Sequence, residues 1–456
     1  MSAETAFTYA SILFCSWLVL ARLFERTWVS PAVLFFFGFF AHAFIAPEIY
    51  DSLGAISPAN LPFVYRFSVF SFLAAVAGYI FGQLMLTPRM RTVAVSSEIS
   101  FAGYHSILLR YACIVLAAYL WLYVFVLSDV LNLPKGTDAY RTDFSVSERF
   151  GKLALLLPAS IAAWYMFVSS KSSKSRGRKG FAWLPWLGCL GSLIAVNMLL
   201  QARQEIVTLL FFVGMYHHYR IKKLGLATVA LLSLGLLGVQ IVAQLRVLGA
   251  GIGQLRPSDI VSHVSQAVGM GGFAMMESLL SSLPGQQVFV EVVDLVGPTG
   301  HKWGLTYLQS LGGLGLPSFL GFHPLWETPA SWFHNEFAPD VEHHGFDFSA
   351  LSEAYLNFGH WGPLVFLFFG FAVALASWAI RRSRSFSSVL LGLIVIVGLT
   401  FGLRHDSFAM FKGLFYTWFG VWLLAKTGVW VAQACRQINR SVGVVGTSRG
   451  EIRGVA

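Results

Sequence analysis

The residues best suited to chemistry are two arginines, each in a short turn between two apolar runs. Arg203 and Arg404 are both followed two residues later by a carboxylate, Glu205 after the first and Asp406 after the second. A planar guanidinium donates two parallel, charge-assisted hydrogen bonds to a phosphate. The two turns therefore predict a site for a phosphorylated group. The alternative is that each arginine binds its neighbouring acid and only ties two helix ends together.

Three further cations accompany these arginines. Lys412 lies about one turn into the last apolar run, where an ionisable group costs ~2–3 kcal/mol at depth and usually faces a polar cavity. Arg141 and Arg246 lie in connections that we place on the same side as the two turns. Together these residues extend the predicted phosphate site.

A second group of chemical side chains lies at 341–359. Imidazoles and carboxylates crowd there, at His343, His344, Asp347 and Glu353, just before an apolar run. Such groups could take a proton from a hydroxyl and orient it. They could also be ordinary polar residues on the protein surface, or form the N-terminal cap of a helix. We expect no metal at this site, because two adjacent histidines cannot share one helical face.

The elements that position these residues are apolar runs. Of the 456 residues, 56% are hydrophobic and only 12% are charged, which is too apolar for a soluble domain. A spanning helix needs about 20 such residues. The sequence predicts an all-α polytopic membrane protein of about eleven helices, at 6–24, 28–46, 63–86, 105–131, 153–169, 181–200, 205–219, 224–245, 362–380, 387–403 and 409–431.

Every second connection between these runs is rich in Lys and Arg, and an excess of these residues is typical of cytoplasmic loops. This alternation predicts a multi-pass protein of the bacterial inner membrane, with the N-terminus in the periplasm and the C-terminus in the cytoplasm. The net charge of +10 is spread over short clusters between the runs, not gathered on one soluble face, so no nucleic-acid partner is expected. The four cysteines form no disulfide or zinc pattern.

The predicted organisation has four parts. Residues 1–245 carry helices one to eight, 246–361 form one large periplasmic loop, 362–431 carry the last three helices, and 432–456 form a cytoplasmic tail. We expect the loop to be ordered, with its aromatic residues, Trp303, Trp332 and Phe348 among them, packed on the membrane domain, and with an interfacial or re-entrant helix at 262–283. About the last fifteen residues are expected to be disordered.

Two patches resemble a known family. Arg203 is followed eleven positions later by Gly214, an Arg-x10-Gly spacing described in O-antigen polymerases of the Wzy type. More specific is Glu-Ala-Tyr-Leu-Asn-Phe-Gly at 353–359 with Gly362, which resembles a stretch at the end of the large periplasmic loop of oligosaccharide repeat-unit polymerases. Arg404 departs from the first pattern, because Phe415 stands where the glycine would be.

The resemblance implies a GT-C-like membrane glycosyltransferase. Similar proteins move a growing glycan from undecaprenyl pyrophosphate to a new lipid-linked repeat unit, which makes the lipid-linked oligosaccharide both donor and acceptor. Arg203, Arg404 and Lys412 would stabilise the leaving pyrophosphate. Glu353, or else His343 or His344, would deprotonate or align the acceptor. The remaining expected site residues are Asp347, Arg141, Arg246, Tyr355 and Asn357. No cofactor or metal is demanded, and a chain-length regulator protein is a candidate partner.

Three other classes of protein remain open. An O-antigen ligase uses the same donor but passes the chain to the lipid A core, and the segment at 353–359 favours the polymerase over it. A transporter or flippase of lipid-linked oligosaccharide has short loops on both sides and often inverted repeats, and neither feature is present here. A scaffolding subunit would leave the outward arginines at tight turns unexplained.

Overall fold

The computed structural model describes residues 8, 11–19, 30–45, 60–92, 99–126, 156–170, 180–199, 204–225, 285–315, 326–337 and 348–448. Within these ranges the chain is helical and contains no strand. The nearest approach to one is an isolated parallel bridge between Ser100 and Ser385. The part of the chain described here is therefore compatible with an all-α membrane protein.

Thirteen α-helices are numbered here in chain order among the described residues. They are α1 Pro31–Phe40, α2 Leu61–Thr92, α3 Ile107–Val126, α4 Leu156–Ser170, α5 Gly180–Leu199, α6 Gln204–Arg220, α7 Gly285–Thr299, α8 Leu305–Gly312, α9 Pro329–Phe337, α10 Ala350–Phe358, α11 Val365–Arg382, α12 Phe386–Gly402 and α13 Ser407–Ser448. A π-helical turn, Ala41–Ile45, extends α1, and a 3-10 turn, Gly359–Leu364, joins α10 to α11.

Three of these helical segments are long and apolar enough to cross a membrane: Leu61–Leu86, Ala350–Arg382 and Ser407–Ile438. Shorter apolar helices, of 10–17 residues, coincide with five further predicted runs: Pro31–Ile45, Ile107–Leu122, Leu156–Ser170, Trp183–Asn197 and Phe386–Gly402. The predicted run at 205–219 is the helix α6, and the described part of the first run, 11–19, is helical. The predicted run at 224–245 lies almost entirely outside the described residues.

The tightest helix crossing joins α2 to α11, and glycine makes it possible. A Cβ added at Gly78 would collide with the carbonyl of Leu367, and one added at Gly370 would collide with the carbonyl of Ala75. One helical turn along, a Cβ at Gly82 would come within 2.6 Å of the Cβ of Ala374. Small residues of this kind let two helix backbones approach closely. Such close packing favours helix association in a bilayer, where the hydrophobic effect does not drive helices together.

The ends of the helices meet in two groups, and the first lies away from the large loop. There the amide of Ser100 donates to the carbonyl of Arg384 at 2.7 Å, and the amide of His105 donates to Ala425 at 2.9 Å. The buried Arg220 donates to the carbonyls of Ile380 and Ser383, each at 2.6 Å. These contacts bring together connections that the charge pattern assigns to one side of the membrane. We call this group the basic end.

The opposite group, the loop end, carries the described helices of the large loop. On α7, Val288, Val292 and Val296 form a stripe at helical spacing, which packs on Trp332 and Phe333 of α9 and on Phe348. The side chain of Asn60, before α2, donates to Asp294 of α7 at 2.8 Å. The described loop helices thus rest on the helices below them.

Three details differ from the prediction. Trp303 was expected to pack inward, but its side chain is 77% exposed. The helical segment that crosses at 362–380 already begins at Ala350, so the boundary predicted at residue 361 falls inside it. About the last fifteen residues were expected to be disordered, yet α13 continues through the first of them to Ser448, and residues 449–456 lie outside the described residues. The reason is that an existing helix extends without a new nucleation step.

Candidate functional site

The structure describes five of the residues predicted for the site: Glu353, Tyr355, Asn357, Arg404 and Lys412. All five belong to the loop end, on α10, on α13 or in the turn before α13. The other six lie outside the described residues: Arg141, Arg203, Arg246, His343, His344 and Asp347. Their assignment stays a prediction.

Glu353 lies in a polar network with no exposure to solvent. Its Oε1 accepts hydrogen bonds from the hydroxyls of Thr306 at 2.6 Å and Ser407 at 2.7 Å, and its Oε2 accepts the backbone amide of Ser407 at 2.6 Å. A hydroxyl contact of 2.7 Å between Ser310 and Ser407 adds a second residue of α8 to the network. The carboxylate therefore joins three helices, α8, α10 and α13, in one place.

Asn357 completes this network one turn further along α10. Its Nδ2 donates to the hydroxyl of Thr306 at 2.7 Å and to the carbonyl of Glu353 at 2.8 Å. The backbone amide of Thr306 approaches its Oδ1 at 3.4 Å. Asn357 is fully buried, and every polar atom of its side chain faces this cluster. Such satisfied networks rigidify the region they occupy.

The remaining residues of the 353–362 segment also have a packing reason. The ring of Tyr355 contacts the aromatic rings of Phe63 at 5.3 Å, Phe289 at 5.9 Å and His301 at 5.7 Å. Gly359 has a φ of +53°, and a Cβ there would lie 2.7 Å from His301. The segment 353–362 is thus the joint at which the loop segment around residue 301 meets the membrane helix.

Backbone hydrogen bonds close the same joint. The amides of Lys302 and Trp303 donate to the carbonyls of Leu356 and Asn357 at 3.0 and 2.9 Å. These carbonyls lie at the end of α10, where a helix leaves acceptors without an internal partner. In this arrangement Glu353 and Asn357 hold structure, since their polar atoms are already engaged and removed from solvent. We therefore treat both as positioning residues.

Asp406 forms the second carboxylate contact at the beginning of α13. Its Oδ1 accepts the amide of Ala409 at 2.8 Å, which is the hydrogen bond of an N-terminal cap. Its Oδ2 accepts the amide of Ala330, in the first turn of α9, at 3.3 Å. Burial raises the pKa of Asp406, and the two amides act against that shift. The residue thus ties a loop helix to the last membrane helix.

Arg404 and His405 lie in the same turn, between α12 and α13. Both act electrostatically on His42, in the π-helical turn at the end of α1. The turn is fixed by hydrogen bonds from its backbone, among them the amide of His405 to the carbonyl of Gly402 at 2.9 Å. A cation therefore lies in the turn at the loop end, although the helices below it are apolar.

Lys412 lies one turn into α13 and is 9% exposed. Its Nζ lies 4.3 Å from the centre of the Phe408 ring, a cation–π geometry. Phe408 packs on Gly313 of the loop, where an added Cβ would come within 2.5 Å of it. Further along α13, the hydroxyl of Tyr416 donates to the carbonyl of Leu314 at 2.9 Å. The loop thus covers the face of α13 that carries this lysine.

Three residues at this end were not among those predicted for the site: Thr306, Ser407 and His42. Thr306 and Ser407 are small hydroxyls, and only the fold brings them to Glu353, 47 and 54 residues away in the chain. His42 is a single histidine in an apolar run, and its type alone was the available signal.

Among the described residues, no three His, Cys, Asp or Glu side chains lie together in a way that could hold a metal ion. The polar groups around the beginning of α13 are instead hydroxyls, backbone amides and the carboxylates of Glu353 and Asp406. Comparison with known proteins finds no family model, no curated protein and no solved structure that matches this chain.

Proposed function

We propose that this protein is a multi-pass inner-membrane glycosyltransferase that polymerises undecaprenyl-pyrophosphate-linked oligosaccharide repeat units into O-antigen or a related surface polysaccharide. The observation that carries the proposal is the position of Arg404. It lies at the loop end of an apolar helical bundle, beside His42 and His405, where a phosphorylated lipid headgroup would meet it. Support also comes from the 353–362 segment, which builds the joint between loop and membrane helices.

The proposed reaction forms one bond and breaks another. The oxygen of an acceptor hydroxyl attacks the anomeric carbon of the donor sugar, and the bond from that carbon to the pyrophosphate oxygen breaks. The leaving lipid pyrophosphate takes the bonding electrons, and Arg203, Arg404 and Lys412 stabilise the negative charge that develops on it. Preorganised donors of this kind are often worth ~10²–10³ in rate each.

The acceptor hydroxyl must also lose its proton. Of the candidates for this step, Glu353 is engaged with Ser407 and Thr306. We therefore assign the proton to His343 or His344, with Asp347 as a further candidate. Glu353, Asn357 and Tyr355 then position the loop over the cations.

The proposed topology has about eleven spanning helices, a periplasmic N-terminus and a cytoplasmic C-terminus. Two kinds of observation support it. Basic clusters occupy every second connection, and the described helix ends sort into a basic end and a loop end in the same alternation. In this topology the loop end faces the periplasm, where the lipid-linked donor and acceptor are, together with a chain-length regulator.

Electrophoresis of lipopolysaccharide from a deletion strain tests this function. We expect core capped with a single repeat unit, and long chains restored when the wild-type gene is supplied. Uncapped core would assign the protein to the ligases instead. Repeat units accumulating on the cytoplasmic face would assign it to the flippases. A normal ladder of chain lengths in the deletion strain would reject all three activities.

A further inference from the structure

The π-helical turn Ala41–Ile45 at the end of α1 contains a buried histidine that the proposed mechanism does not use. His42 is 2% exposed, and neither of its ring nitrogens has a hydrogen-bond partner among the described residues. A buried polar group without a partner destabilises a fold, so native proteins rarely keep one without a reason. π-Helical turns inside α-helices are themselves frequent at functional sites.

The packing of α1 on α12 explains what faces this histidine. The two helices touch at Gly38 and Thr400, where a Cβ added to the glycine would lie 2.8 Å from the threonine methyl carbon. His42 and Arg404 each lie four residues beyond that contact, one helical turn towards the loop end. Arg404 and His405 accordingly act on His42 electrostatically.

We propose that His42, Arg404 and His405 together bind a phosphate-type anion. A guanidinium offers only N–H donors and positive charge, and each neutral imidazole can turn one N–H donor towards a ligand, which suits phosphate oxygens. A metal cation would be repelled by the guanidinium of Arg404. The ring N–H of His42, which has no hydrogen-bond partner among the described residues, is then a donor available to the anion.

This inference rests on the proposed function, in which the bound anion is the pyrophosphate of the polyprenyl carrier. It adds His42 to the groups that hold the leaving pyrophosphate and places the site between α1 and the turn before α13. The same chemistry would also accept free pyrophosphate from solution.

Calorimetric titration of the purified full-length protein in detergent micelles tests the site. The probes are inorganic pyrophosphate and, in a separate titration, undecaprenyl pyrophosphate. We expect both to bind the wild type, and His42→Leu to weaken the binding by roughly tenfold or more, the loss expected for one hydrogen bond to a charged group. Tighter binding of the lipid assigns the site to the carrier, whereas equal affinity assigns it to the free anion.

Thermal unfolding of the same variants separates binding from folding. In His42→Leu an apolar side chain replaces a buried imidazole that has no hydrogen-bond partner among the described residues. We therefore expect an unchanged or higher unfolding temperature. The matched control is His217→Leu at the basic end, where Nδ1 lies 2.6 Å from the hydroxyl of Tyr165. That variant should lower the unfolding temperature and leave pyrophosphate binding unchanged.

The site is rejected if His42→Leu binds pyrophosphate as the wild type does. It is also rejected if His42→Leu unfolds at as low a temperature as His217→Leu, since His42 would then have a structural partner. The proposed function is read separately, from glycan ladders in the deletion strain. Failure of one can therefore be told from failure of the other.

Discussion

The carboxylate of Glu353 accepts the backbone amide hydrogen of Ser407, the first residue of α13, at 2.6 Å. A carboxylate at a helix N-terminus satisfies a donor that has no partner within the helix and interacts favourably with the helix dipole. The same carboxylate accepts the hydroxyl of Thr306 from the loop helix α8. One side chain of α10 thereby fixes both the last membrane helix and the loop above it.

Replacing Glu353 with alanine should therefore destabilise the protein strongly. The change leaves the Ser407 amide and the Thr306 hydroxyl buried without their acceptor, and each such group costs about 1–3 kcal/mol. Glu353→Gln should cost less, because the amide oxygen can accept from Ser407 while its NH₂ group donates to the hydroxyls. Thermal unfolding in detergent measures the difference.

The same pair of variants separates positioning from proton transfer. If Glu353 only positions, the Gln variant should keep most of its turnover wherever it keeps its unfolding temperature. If the Gln variant unfolds like the wild type yet makes no long chains, Glu353 would instead be assigned to proton transfer. Binding of the carrier, measured by titration with undecaprenyl pyrophosphate, should be little affected in either case.

Thr306 and Asn357 should be energetically coupled. The Asn357 amide donates to the Thr306 hydroxyl at 2.7 Å, so removing either partner removes the same contact. We expect Thr306→Val and Asn357→Ala each to lower stability, and the double variant to lose less than their sum by about 0.5–3 kcal/mol. Strict additivity in this double-mutant cycle would show that the contact contributes nothing.

The crossing of α2 and α11 makes a further prediction about glycines. Gly370→Ala should lower stability by about 1–3 kcal/mol or more, because the new methyl would meet the carbonyl of Ala75. Gly214, in the Arg-x10-Gly pattern, is the matched control, since an added Cβ there has nothing within 4 Å among the described residues. Gly214→Ala should be neutral or stabilise the helix by about 0.5–1 kcal/mol.

Glycan ladders show whether Gly214 matters beyond packing. Long chains made normally by Gly214→Ala would mean that the glycine is not needed by the site. Unfolding of Gly370→Ala at the wild-type temperature would contradict the close crossing.

The positions of the apolar helices could be predicted because the bilayer imposes one length and one composition on each run. The exact beginning of α10 could not, since Glu353, Asn357 and His360 interrupt the apolar pattern where the helix continues. Glu353 and Asn357 both hydrogen-bond with Thr306, and Glu353 also with Ser407, which come from distant parts of the chain. His360 contacts the ring of Phe63, which is equally distant in the sequence. Such long-range partners leave no trace in local hydropathy.

The candidate site was predictable to a similar degree. A charged residue in a turn between two apolar runs stands out in the sequence, so Arg404 could be identified as a candidate before the structure was known. The surroundings of Arg404 depend on the α1–α12 crossing at Gly38 and Thr400, and His42 becomes a neighbour only through that packing. The sequence thus identifies the cation, and the fold identifies what lies beside it.

The last prediction concerns the phosphate-binding role of the two turn arginines. Arg203→Ala and Arg404→Ala should each leave the protein inserted in the membrane and folded, yet abolish long glycan chains and leave single-repeat products. The reason is that the charge developing on the leaving pyrophosphate loses a fixed donor, worth ~10²–10³ in rate. Arg404→Lys should restore part of the activity, since an ammonium keeps the charge but loses the bidentate fork.

Arg436→Ala is the control for these variants. Arg436 is on α13 near the basic end, and its Nε donates only to the carbonyl of Ala432 among the hydrogen bonds described, at 3.1 Å. Arg436→Ala changes the net charge as much as Arg404→Ala does. It should leave the ladder of chain lengths unchanged, because Arg436 lies far along α13 from the loop end. Normal ladders in both Arg203→Ala and Arg404→Ala would reject the phosphate clamp. A reporter fusion that places either turn in the cytoplasm would do the same, since the lipid-linked donor is on the other face.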